Sequence, residues 1–319
     1  MSRLRRIALT VAAMLAVLVL TMGYRLALSR GVFNSVEERT PGLCRTVPGV
    51  GAVADIAVDQ TAKTAFIATS GALYAYADGK LTKLSGTPKD FHVRALATFG
   101  TGNEVLLRAV LAQAEGRFTI VLFKVSSGSV QEIGRITTDV LTDPAAIAMP
   151  DAERFYLVNR HDSHSSLGRM LDDVLLLPRA HLQWFDGMKF VAVAERLNTP
   201  SALALSADGA HLYIAQDYPR TITGMSRNDF TGAIGSPSAL SLPSSPQKLT
   251  RAADGSLILA AIPKAGAGAV YRLRLENGLP KTTELLYAGT GLEVRAAAEI
   301  GATLLVGSST GLLLCEVHR

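Results

Sequence analysis

The feature that most constrains this chain is an internal repeat. A short alternating strand, a turn rich in Asp or Gly, and a second, more apolar strand recur six times. The copies run from 54–58 to 65–68, 93–96 to 105–107, 146–149 to 155–158, 201–205 to 212–215, 247–250 to 257–259 and 294–297 to 304–307. A period of about 40 to 55 residues built from strands and turns fits one four-stranded blade per copy, so the repeat predicts an all-β, six-bladed β-propeller. Further strands show at 72–76, 118–123 and 269–273. Ala54, Ala57, Ala95, Ala148, Ala202, Ala204 and Ala296 keep the first strand of each copy small, which suits a centre where blades converge. The propeller is expected over residues 40–319.

Cys44 stands just before the first copy and Cys315 just after the last. In a propeller the first and last blades are neighbours, so these two residues are expected to meet in a disulfide; a pair of free buried thiols is the competing reading. The copies are interrupted once. Residues 161–181 begin polar, run through an apolar Leu-rich stretch, and join the third copy to the fourth, which suggests either a lid over the channel or a helix that merely covers the rim.

Residues 7–24 form an apolar stretch of roughly eighteen residues, near the minimum for a helix that crosses a bilayer. Arg3, Arg5 and Arg6 precede it; a cleaved signal peptide is the competing reading, but no good small-x-small site follows the run, and Ala27-Leu28-Ser29 lies beyond Arg25. This pattern predicts an uncleaved transmembrane signal-anchor within residues 1–30, with the propeller on the extracytoplasmic side of the membrane. The 32 Lys and Arg against 27 Asp and Glu leave a formal +5. Three of those charges lie in the N-terminal arginines, so the body is nearly neutral and gives no basis for binding nucleic acid.

Taken in order, Gly42-Leu43-Cys44, Leu122-Phe123-Lys124-Val125, Ser206-Ala207-Asp208-Gly209 ahead of Leu212-Tyr213-Ile214-Ala215, and Leu304-Leu305-Val306-Gly307 ahead of Leu314-Cys315-Glu316 resemble the paraoxonase/arylesterase family. That family is a branch of the calcium-dependent propellers that include the SMP-30/gluconolactonases. The resemblance implies hydrolysis of lactones and aryl esters, with a calcium deep in the central channel polarising the carbonyl and stabilising the oxyanion. It also implies a ligand set that this chain largely replaces. Ala54-Asp55 stands where the family has Glu-Asp, Pro144-Ala145 or an immediate neighbour where it has Asn-Asp, Ser201 where it has Asn, and Gln247-Lys248 where it has Asp-Asn. Arg94 falls on the family's catalytic His, whose partner falls near Leu111.

Calcium takes six to eight oxygen ligands, and Asp55 is the one ionised ligand retained. A cation about 5 Å from a divalent ion costs about 6 to 7 kcal/mol at an effective dielectric of 20, and Arg94 and Lys248 are both candidates for that place. No catalytic metal is therefore expected, and the channel is expected to be electropositive. Asp55, His92, Arg94, Ser201, Gln247, Lys248 and Arg295 are the candidate channel residues. His161-Asp162-Ser163-His164 reads as a solvated turn of the insertion rather than a triad, since sequence neighbours rarely form one.

Three functions are compatible with these residues. One is a membrane-anchored propeller that binds a polar or anionic small ligand without calcium chemistry. Another is an active ester or lactone hydrolase, with calcium if the ligand set lies elsewhere. The third is an envelope scaffold that binds another protein.

Overall fold

The computed structural model describes residues 3–29, 31, 35–100 and 104–317. Its strands form six four-stranded antiparallel sheets, arranged as the six blades of a propeller. Each of the first five blades uses four strands in chain order. The sixth takes three from the C-terminus, Val294–Ile300, Thr303–Ser308 and Leu312–Glu316, and its outermost from the N-terminal side, Cys44–Thr46. The two ends of the ring are therefore fastened in one sheet. Cys44 lies directly opposite Cys315 in the register, and the two are joined by a disulfide with Cα atoms 4.0 Å apart.

The core explains why the ring closes. Its six hydrophobic clusters each bridge two neighbouring blades, and none lies within a single blade. Phe66, Leu107 and Phe123 join blades 1 and 2; Ile147, Phe155 and Ile120 join 2 and 3; Trp184, Leu203 and Ile214 join 3 and 4. The last junction has the same construction: Ile56 and Ile67 of blade 1 pack on Leu305, Leu312 and Leu314 of blade 6. A blade on its own would expose both apolar faces, so its stability depends on having two neighbours.

The innermost strands are Val53–Asp59, Val93–Gly100, Pro144–Ala148, Pro200–Leu205, Ser245–Arg251 and Val294–Ile300. Every one carries a β-bulge at its start, at Ala54, Arg94, Ala145, Ser201, Gln247 and Arg295 respectively. A bulge takes one residue out of the ladder and re-aims its backbone. Six equivalent bulges therefore ring one mouth of the channel. Of the residues that follow them, four are alanine and two are charged: Asp55 and Lys248.

The insertion contains a helix, α2 (Ser166–Leu175), capped by the Ser165 hydroxyl, which accepts from the Gly168 amide at 3.0 Å. The N-terminal helix, α1 (Arg3–Ser29), carries exposed Leu9, Met14, Val17 and Leu20. The expectation of a transmembrane anchor does not stand. Among the described residues no helix is long and apolar enough to cross a membrane. The apolar window lay at the lower limit for a span, and Thr10, Thr21, Gly23 and Tyr24 interrupt it, so its length alone was weak support. The single-pass arrangement, the membrane partner and the extracytoplasmic placement inferred from that window fall with it.

Candidate functional site

The bulged mouth brings charged groups together from several blades. At its centre Lys248 reaches across from blade 5 to blade 1. Its Nζ lies 3.2 Å from Asp55 Oδ2 and donates to the backbone carbonyls of Arg94, at 2.9 Å, and Ala145, at 2.6 Å. Both carbonyls belong to bulged residues. The Lys248 and Asp55 side chains are only 13% and 6% exposed. Asp55 also accepts from the Ile56 and Leu96 amides, each at 2.8 Å. Burial pushes its carboxyl above the ordinary value, against the pull of the Lys248 charge and these hydrogen bonds.

A second cluster lies at the same mouth, beneath α2. Asp143, next to the bulge of blade 3, accepts from Arg94 Nη2 at 2.9 Å and bonds His161 Nδ1 at 2.7 Å. The other imidazole nitrogen, Nε2, lies 2.9 Å from Asp173 Oδ1. Arg169 and Asp173 are one turn apart on α2, so they share the face turned to this pair. Arg169 Nη1 is 3.9 Å from Asp143. Alongside, Arg160 bonds Asp217 at 2.7 Å, and Asp217 accepts from the Ser245 hydroxyl.

The charges in this cluster set one another's protonation. Burial pulls the His161 imidazole down, but hydrogen bonds to Asp143 and Asp173 and their negative charges lift it to about 9. Burial pushes the Asp143 carboxyl up, and the His161 hydrogen bond with the Arg94, His161 and Arg169 charges more than reverses this, leaving it below the ordinary value. The His161 hydrogen bond likewise holds Asp173 low. His161 is therefore an imidazolium at neutral pH, donating from both nitrogens, and cannot accept a proton there.

The candidate residues divide among these surroundings. Asp55 and Lys248 meet at the axis, and Arg94 serves both clusters, through its carbonyl to Lys248 and its guanidinium to Asp143. Each of the two cations expected at the channel, Arg94 and Lys248, is bonded to a carboxylate. Ser201 is buried with its hydroxyl 3.4 Å from the Ala215 carbonyl, and Gln247 donates to the Pro246 carbonyl at 3.1 Å. Arg295 is exposed. His92 is exposed on the rim, its Nδ1 3.1 Å from the Ser70 hydroxyl. His161, expected in a solvated turn, is instead buried, and its partners Asp143 and Asp173 were not among the candidate residues. Arg94 carried a usable signal: a cation at a channel position calls for a carboxylate, and Asp143 stands one residue before the Pro144-Ala145 pair.

With the Lys248 ammonium in place, the donor set at the axis does not suit a calcium ion. One carboxylate oxygen and two carbonyls converge there on an ammonium that already holds them, well short of six to eight oxygens. Among the described residues no group of three or more His, Cys, Asp or Glu is arranged to hold a metal. A cavity of about 560 Å³ opens at the opposite mouth, lined by Asp59, Asp151, Arg154, Arg227 and Arg251. None of the groups of the two clusters at the bulged mouth lines it.

The class of protein so defined is a closed six-bladed propeller with linked ionisable groups around the bulged mouth of its channel. The Arylesterase family profile matches residues 45–281, and the chain belongs to that family. Solved structures agree on the fold. A gluconolactonase from Xanthomonas campestris superposes with a TM-score of 0.58 at 13% identity, covering 89% of this chain and 99% of that one. A calcium-binding regucalcin from Agrobacterium tumefaciens gives 0.56 at 15% identity, covering 88% and 95%. A putative oxidoreductase (glucose dehydrogenase) from Thermus thermophilus gives 0.51 at 14%, covering 86% and 99%. No curated sequence matches the chain significantly.

Proposed function

We propose that this protein hydrolyses an ester or lactone at the bulged mouth of its channel. The observation that carries this reading is the Asp143–His161–Asp173 chain beside Arg94, in a member of the Arylesterase family. Ester hydrolysis needs a positive group facing the carbonyl oxygen and a base facing the attacking water. Arg94, whose side chain is 49% exposed, supplies the first. His161 cannot be the base while it is protonated. Asp173, held from behind by His161 and 46% exposed, supplies the second. Asp143 and His161 then act as positioning residues that fix the carboxylate and keep it ionised.

The test is a panel of aryl acetates and γ- and δ-lactones with the purified protein and an Asp173→Asn variant. Hydrolysis of at least one class is expected. In the variant kcat should fall by about 10² or more, the usual worth of a general base, with little change in KM, and the assay is run well below the variant's own melting temperature because Asp173 also binds the His161 imidazolium. No turnover of either class, or an unaffected variant, would remove this reading.

A further inference from the structure

Lys248 is a long cationic side chain that crosses the axis of the ring. Its ammonium has three hydrogens to donate, and it meets three oxygens from three other blades: Asp55 of blade 1, the Arg94 carbonyl of blade 2 and the Ala145 carbonyl of blade 3. The match leaves no donor idle. Both carbonyls come from bulged residues, whose backbone is turned out of the ladder. Asp55 is buried, with its other oxygen held by the Ile56 amide. This is a converging, acceptor-only oxygen site, the arrangement a cation requires.

We propose that Lys248 is a tethered cation. It fills from within the chain a site that would otherwise draw a free cation, ties blade 5 to blades 1, 2 and 3, and makes the ring indifferent to calcium. Removing the ammonium leaves the Asp55 carboxyl and two carbonyls without their cation in a space of about the removed side chain; burial then favours the neutral acid, and a small cation entering returns it to the carboxylate. Water entering there completes a shell for a small cation. With one carboxylate among its ligands, such a site belongs at the weak, millimolar end of the calcium range. Substitution of Lys248 therefore confers a cation response that the native protein lacks. This inference rests on the contacts of Lys248 and is independent of the hydrolase reading, since its readout is stability.

The experiment compares the melting temperature of the full chain and of Lys248→Ala in chelator, in 10 mM calcium chloride, and in 50 mM methylammonium chloride, which returns the missing group as a free ion. The native protein should shift by less than about 1 °C in either. Lys248→Ala should melt lower in chelator and recover by about 3 °C or more with either cation, as expected for a ligand present at several times its Kd. Adding Asp55→Asn to the variant should abolish the recovery. If Lys248→Ala does not fold in chelator, refolding should succeed when either cation is present. A variant that ignores both cations, in melting or in refolding, overturns the proposal, as does a native protein stabilised by calcium as much as the variant is.

Discussion

Removing the Cys44–Cys315 bridge lowers the melting temperature, by up to about 10 to 20 °C. The bond closes 271 residues of chain. In the chain-entropy account a loop of that length is worth up to about 5 kcal/mol, and for a domain of this size each kcal/mol moves the midpoint by roughly 2 to 4 °C. The bridge also holds Cys44–Thr46 to the sixth blade, where a strand of three residues has few ladder bonds of its own. A Cys44→Ser, Cys315→Ser double variant, melted beside the native protein with and without reductant, is the measurement. Reductant should bring the native protein down to the variant and leave the variant unmoved. Equal melting temperatures for all four samples would show that the cluster joining blades 6 and 1 closes the ring unaided.

The second large effect is a loss of stability on the alkaline side. His161 is lifted from its ordinary 6.5 to about 9 in the folded protein. A raised histidine stabilises fully below its unfolded pKa, and that contribution disappears as pH climbs through the folded value. The window is thus about 6.5 to 9, and the amount is at most about 3 kcal/mol, by linkage. Asp143 and Asp173 bind the imidazolium, while Arg94 and Arg169 press on the same cluster with like charge. Tyr156 and Tyr213 are pushed by burial to about 12, so their ionisation does not intrude if the scan stops near pH 9.5. The native protein should lose about 5 °C or more between pH 7 and 9.5 by the same conversion. A His161→Gln variant should melt lower at pH 7 and decline much less. Parallel curves would mean that another group titrates in this window.

The parts of the fold that were readable in the sequence are those whose burial is patterned. The inner two strands of every blade lie between neighbours, so Ile56, Leu107, Leu157, Ile214, Leu259 and Val306 write an apolar signal that recurs with the blade. The outer strands face solvent and write almost none. Phe190–Leu197 and Ile234–Ser241 contain no buried residue, and neither was anticipated. The N-terminal apolar stretch misled for the complementary reason: hydropathy counts residues along the chain without regard to how far they must reach.

At the site, Asp55 and Lys248 could be placed because they belong to the repeat and inherit its geometry. Asp143 stands one residue before the Pro144-Ala145 pair, just ahead of the strand that carries the repeat. His161 and Asp173 lie outside the repeat, and their meeting depends on how α2 folds back over the third blade. Nothing in the local sequence encodes a contact of that kind. A histidine flanked by polar residues looks the same whether it faces water or two carboxylates.

The shared sixth blade gives the molecule the topology of a circle. With residues 44 and 315 covalently linked, a single cut in any loop between them releases no fragment; both pieces stay attached through the sulfur atoms and through two blade junctions each. Because every junction is built alike, no blade is privileged as the first. Start and finish of the chain are thus a property of its synthesis more than of its architecture. A permuted chain that joins the two ends of the propeller by a short linker and opens instead at a turn such as Asp254-Gly255 should fold to the same ring.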